Sequence, residues 1–208
     1  IKERVGGGYG SKQDILIEDV AAYATWITRR PILSRNTREE EFIANSTRHP
    51  MRITVKLGAK KDGTITAVYM DVRANTGPYG NHCLTVPMNA CSKTLPLLAC
   101  PNMKFDVTTY YSNICPTGAY QGYGAPKGSY ALMMCIAELA HALKLDPLAV
   151  VMKNKVERGY MLEILKSLGE GREGTVVPVG SCGLTKALEL GAKMIDWGKR
   201  ETSLDPQW

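Results

Sequence analysis

Gly6-Gly7-Gly8-Tyr9-Gly10-Ser11-Lys12 opens the chain almost at once, and a second glycine-rich stretch, Gly118-Ala119-Tyr120-Gln121-Gly122-Tyr123-Gly124-Ala125-Pro126, lies far downstream. Glycines clustered around a lone aromatic mean a backbone bent through conformations open mainly to glycine, with amides free to approach a bound group closely. Two such loops imply one polar ligand gripped from two sides. The spacing excludes two common glycine-loop classes. A dinucleotide fingerprint begun at Gly6 or Gly8 meets Ser11 or Gln13 where its third glycine belongs, and no Gly-Lys-Ser/Thr triplet follows.

Working outward from the first loop, Ile17, Val20, Ala21, Ala24 and Ile27 recur at helical spacing, which predicts a helix over 14–29 entered directly from the loop. Its N-terminus would present free amides and a positive dipole end, suited to a phosphate or an oxo group. Pro31 stops it, and Ile32 to Ser34 reads as a short strand. After Arg52 the pattern alternates. Ile53, Val55 and Leu57 share a face, Lys61-Asp62-Gly63 makes a turn, and Ile65, Ala67 and Tyr69 follow with Val68, Met70 and Val72 opposite. That is a β-hairpin. A third strand runs from Met103 to Tyr111, ahead of the second glycine loop.

A helix is expected over 130–145, with Met133, Ile136, Ala137, Ala140 and Leu143 on one side. Asp146-Pro147 caps a shorter one to Asn154, and 184–197 forms the last. The stretch 159–183 is glycine-rich and irregular. The expectation is one compact α+β unit with a mixed β-sheet and packed helices over residues 1–200, followed by a C-terminal tail at 201–208.

Bulk properties narrow the function classes. With 208 residues, 44% apolar and 22% charged, the composition is globular. The net charge of +6 comes from basic residues scattered among acids, which argues against a nucleic-acid stripe. None of the six cysteines stands at zinc or iron–sulfur spacing, so they read as reduced thiols of a cytoplasmic protein, with Cys135 a small core residue. His82 and His141 lack partners at metal-ligand spacing. No apolar run spans a membrane and no secretory signal opens the chain, whose first residue is Ile; it reads as a piece of a longer polypeptide.

Four motifs in order carry a resemblance. Besides the two loops, Arg38-Glu39-Glu40-Glu41-Phe42 is followed by Arg48-His49-Pro50, and Lys61-Asp62-Gly63-Thr64 by Gly77-Pro78-Tyr79. Over residues 4–200 the chain resembles the molybdenum-binding subunit of the xanthine dehydrogenase and aldehyde oxidase family, with its GGGFGGK-type loop, RHP segment, hairpin and GAFRGFG-type loop. The resemblance implies the first molybdopterin-binding domain of a molybdenum hydroxylase, which oxidises an N-heterocycle (purine-like) or an aldehyde with water.

The resemblance also implies roles for single residues. Gly7, Gly8, Tyr9, Gly10, Gln121 and Gly122 would contact the cofactor through backbone, the Tyr9 amide facing an oxo ligand of the molybdenum. Gln13, Asn89 and Tyr123 would line the substrate pocket, Tyr123 as the stacking surface. Gln13 and Asn89 stand where purine-oxidising relatives carry charge, so xanthine is not the expected best substrate. No catalytic residue is assigned here: the family's glutamate base lies further downstream, and Gly169-Glu170-Gly171 lacks its flanking pattern. 2Fe–2S clusters and FAD would sit on other domains or subunits, alongside the remaining molybdopterin-binding domain.

Each position also has a plainer reading. Gln13 could be an exposed polar residue of a first helical turn and Tyr120 and Tyr123 core aromatics, while His49 and Glu39 are expected to support the loop structure. Two rival functions stand beside the first: a phosphate- or nucleotide-binding module using residues 6–12 as an anion nest, and a non-catalytic assembly homologue in which Gln13, Asn89 and Gln121 mark a decayed pocket.

Overall fold

The computed structural model describes residues 7–10, 12–167 and 174–200. The tail at 201–208 and the Gly169-Glu170-Gly171 stretch lie outside the described residues. The frame is the expected mixed sheet. β2 (Met51–Ala59) and β3 (Ile65–Asn75) form the antiparallel hairpin, and β4 (Met103–Tyr110) pairs parallel to β3 from Val68↔Met103 to Asn75↔Tyr110. At the turn Gly63 takes φ +82°, and Asp62 Oδ1 accepts the Thr64 amide at 3.1 Å.

One side of the hairpin differs from the alternation read in the sequence. The register shifts between Gly58 and Ala59, so that Ala59 pairs with Ile65 and Thr66 is the extra residue. A bulge of this kind turns one side chain over. Ile65 therefore joins Val68, Met70, Val72 and Ala74 in the core instead of sharing a face with Ala67 and Tyr69.

α4 (Ala125–Leu143) lies across the hairpin's inner face with Gly128, Leu132, Ile136 and Ala140 buried, a stripe repeating every fourth residue. It begins ahead of the expected Tyr130, because Pro126 fits a first helical turn, where a missing N–H costs nothing. α3 (Thr85–Ser92), absent from the sequence reading, crosses between β3 and β4 and packs on α4. A β-carbon on Gly128 would stand 2.0 Å from the Ala90 carbonyl oxygen, and one on Gly124 2.1 Å from that of Val86. These two glycines let the helices approach. α5 (Pro147–Asn154) is capped by Asp146, whose Oδ1 accepts the Leu148 amide at 3.1 Å. α6 (Leu184–Met194) ends three residues short of the expected Trp197, and after it Trp197 Nε1 and Arg200 also bind the Asp146 carboxylate.

The N-terminal region departs further. α1 is Glu18–Thr28, starting four residues after the expected Asp14, and no strand forms at Ile32 to Ser34, where Leu33 is exposed. α2 (Arg38–Ala44) opens with a capping box, Thr37 accepting the Glu40 amide and the Glu40 carboxylate accepting the Thr37 amide. The sequence Thr37-Arg38-Glu39-Glu40 carried that signal. The six cysteines are all free; Cys135 is half-buried between α4 and β2, not in the core.

Candidate functional site

The two glycine loops meet. Tyr9 and Gly10 take φ +49° and +107°, and a β-carbon on Gly10 would lie 2.0 Å from the Ala119 carbonyl oxygen. In the second loop three consecutive residues, Gly122, Tyr123 and Gly124, have φ +86°, +40° and +90°. A run of left-handed residues is costly for a tyrosine and persists only where its surroundings enforce it. Tyr9, Gln121 and Gly122 remain exposed at the surface, with Gly7 and Gly8 partly so.

The Arg48-His49-Pro50 motif holds the second loop. β1 (Thr47–Arg48) pairs parallel with β5 (Thr117–Gly118), Arg48 donates to the Gln121 carbonyl at 2.9 Å, and its guanidinium lies over the Tyr120 ring at 4.3 Å. Tyr120 is thereby half-exposed and stacked beneath an arginine rather than packed in the core. His49 is buried against Gly118 and Asn81, and its carbonyl accepts the Lys127 ammonium. Burial, and then the Lys127 charge, hold the His49 imidazole below its ordinary range, so it is neutral. Burial also lowers Lys127 to about 8, with Arg48 adding to the shift. These groups buttress the loop.

Around Tyr123 a hydrogen-bonded chain joins three segments. Its hydroxyl is 2.6 Å from His82 Nδ1 and 2.6 Å from Thr85 Oγ1, and His82 Nε2 faces Asp14 Oδ1 at 3.5 Å. Asp14 follows the first loop, His82 the end of β3, and Thr85 begins α3. Nothing in sequence spacing links these residues.

The other predicted positions divide. Gln13 is exposed and folds back on its own loop, its side chain filling the space a β-carbon on Gly8 would need. Asn89 is 2% exposed inside α3, where its Oδ1 accepts the Ser92 hydroxyl at 2.7 Å. The expected helix N-terminus at the first loop does not form either. α1 starts later, and the Glu18 carboxylate itself accepts the Leu16 and Ile17 amides at 2.8 and 3.0 Å. An anion drawn to that helix end would meet acidic side chains. Glu39 is exposed in α2.

Among the described residues no helix is long and apolar enough to cross a membrane. The family model "Molybdopterin cofactor-binding domain" matches residues 1–155. The chain is 62% identical over 198 residues to "Probable hypoxanthine oxidase XdhD" of Escherichia coli, covering 95% of the chain and 21% of that protein. It is 33% identical over 208 residues to the "Putative xanthine dehydrogenase molybdenum-binding subunit XdhA" of Escherichia coli, covering 100% of the chain and 26% of that protein. Among solved structures, the aldehyde oxidoreductase of Desulfovibrio gigas superposes with a TM-score of 0.72 at 25% identity, over 95% of this chain and 21% of that one. The chain thus spans about a fifth to a quarter of the length of these relatives. With paired glycine loops, their arginine buttress and these matches in agreement, the chain belongs to the molybdopterin cofactor-binding domain family of the molybdenum hydroxylases.

Proposed function

We propose that this chain forms one wall of the molybdopterin pocket of a molybdenum hydroxylase that oxidatively hydroxylates a purine-like N-heterocycle or an aldehyde, using water. The observation that carries the reading is the apposition of the loops at Gly10 and Ala119, which sets two glycine backbones side by side. The residues fit such a group: Tyr9 and Gly122 are left-handed and exposed, and the partly exposed Gly7 and Gly8 beside them carry no side chain to stand in the way. Gly7, Gly8, Tyr9, Gly10, Gln121 and Gly122 would hold the cofactor through backbone. When bound, it supplies the oxidant for the substrate carbon.

Tyr123 offers an aromatic face for a flat substrate, Gln13 a neutral amide at its edge, and Asn89 supports the wall from behind. With 62% identity to a protein named for hypoxanthine, a purine is the favoured heterocycle. The general base, the second cofactor-binding domain, the 2Fe–2S clusters and FAD would come from outside these residues, in a cytoplasmic assembly.

Metal analysis tests the reading. The complete polypeptide, produced in molybdate-supplemented cells, is expected to carry about one molybdenum per chain, and the 208-residue chain alone none. Absence of molybdenum from the complete polypeptide overturns it. For the substrate wall, Gln13→Glu in the holoenzyme should raise kcat/KM for xanthine relative to neutral heterocycles by roughly tenfold, the value of one charge-assisted contact. An unchanged ratio removes Gln13 from the pocket.

A further inference from the structure

We propose that His82, braced by Asp14, is a positioning residue that anchors the tip of the Tyr123 phenol and so fixes the aromatic face offered to the substrate. This rests on the reading of Tyr123 as the stacking surface. The proton inventory sets the direction of the chain. A carboxylate only accepts, so a ring N–H of His82 on Nε2 points toward Asp14 Oδ1 at 3.5 Å in the tautomer that leaves Nδ1 free to accept. Nδ1 is then an acceptor, the Tyr123 hydroxyl donates to it across 2.6 Å, and the Thr85 hydroxyl donates to the phenol oxygen across 2.6 Å.

Two further features show that the arrangement is held rather than incidental. His82 and Tyr123 both have left-handed backbone, at φ +54° and +40°, and their rings meet edge to face at 86° with centroids 5.6 Å apart. The second oxygen of Asp14 is buried and has no hydrogen-bond partner among the described residues, which leaves His82 as the polar group this carboxylate faces there. The phenol's one donor and an acceptor site are both engaged, which leaves the ring face as its means of contact with a ligand. A ring pinned at its tip cannot swing, so a flat substrate meets a surface whose ordering cost is already met in the free protein. A phenylalanine at 123 would offer the same face without the anchor.

A double-mutant cycle on the molybdenum-loaded holoenzyme tests this, read as the dissociation constant for uric acid, a flat purine with no oxidisable ring C–H, by equilibrium dialysis. Benzoate serves as the product-like probe for an aromatic aldehyde. His82→Leu is expected to weaken binding about five- to tenfold when residue 123 is Tyr, and by less than about twofold in the Tyr123→Phe background. His82→Gln, which can still accept from the phenol and donate toward Asp14, should stay within about twofold of the parent. Equal weakening in both backgrounds, or Gln as harmful as Leu, overturns the proposal. If His82→Leu fails to load molybdenum, the cycle is run with Thr85→Val, which removes the phenol's other partner from an exposed position; additivity there overturns it equally. A parent holoenzyme that binds neither probe contradicts the substrate-wall reading itself, and the positioning role falls with it.

Discussion

Gly10 stands against Ala119 so closely that a β-carbon at Gly10 would lie 2.0 Å from the Ala119 carbonyl oxygen. The two loops are separated by more than a hundred residues in sequence, yet their backbones touch. A side chain would hold them apart, and glycine at this point lets the two backbones approach.

Gly10→Ala should therefore disrupt the pairing of the loops. Both the φ of +107° and the carbonyl contact oppose a side chain, and the cost should exceed about 3 kcal/mol by urea denaturation. Gly180→Ala, with nothing within 4 Å of its β-carbon, is the control and should fall within about 0.5 kcal/mol of the parent. Equal costs at the two positions would contradict the contact.

Asn154 locks the hairpin turn to α5. Its Oδ1 accepts the Ile65 amide at 2.7 Å, and its Nδ2 donates to the Gly63 and Val150 carbonyls at 2.8 and 2.7 Å, all in the core. Asn154→Ala strands a buried amide and a buried carbonyl, and should destabilise by about 2–4 kcal/mol in the same measurement. A neutral substitution would show that water replaces the side chain.

Stability should rise with pH in two windows. Lys127 has its folded value lowered from 10.5 to about 8, so between those values the unfolded chain binds a proton that the folded chain has shed. Stability therefore climbs from about 8 to about 9, above which the Cys91, Cys100 and Cys135 thiols, raised by burial from 9.0, ionise first in the unfolded chain and pull stability down. His49 is also depressed, so below its ordinary 6.5 the unfolded chain gains a proton the folded chain resists, and stability falls as pH drops. Lys104, raised by its hydrogen bond to Asp106, loses its contribution only above 10.5. Urea midpoints from pH 5 to 9 should show both limbs, and Lys127→Met should flatten the alkaline one. An alkaline limb that survives the substitution assigns it to another group.

The isolated chain should self-associate. α1 has no buried residue; Val20, Tyr23, Trp26 and Ile27 are all more than half exposed, as are Phe42 and Ile43 of α2. Such a concentration of apolar surface promotes association. Light scattering should show mass rising with concentration, and the double substitution Trp26→Glu, Ile27→Lys should suppress the rise. A monomer at all concentrations would contradict this.

The sequence by itself determined what local chemistry decides. Alternation at residues 53–57 and 68–72 specified the hairpin, Asp62-Gly63 its turn, Asp146-Pro147 the cap of α5, and the glycine clusters two sharply bent backbones. Each signal is carried by residues within a few positions of one another. The tertiary structure decided the rest. Ile32 to Ser34 has strand-forming residues, but among the described residues no neighbouring strand supplies the hydrogen bonds that make one. α3 contains Pro87 and lacks a side-chain cap, and it stands because Gly124 and Gly128 let it pack on α4. Ile65 is in the core because a one-residue register shift turned it there. His82 meets Tyr123 and Asp14 only after three distant segments converge. Periodicity and turn preference act over a few residues, whereas a partner strand, a close helix crossing or a shared hydroxyl depends on groups that only folding brings together.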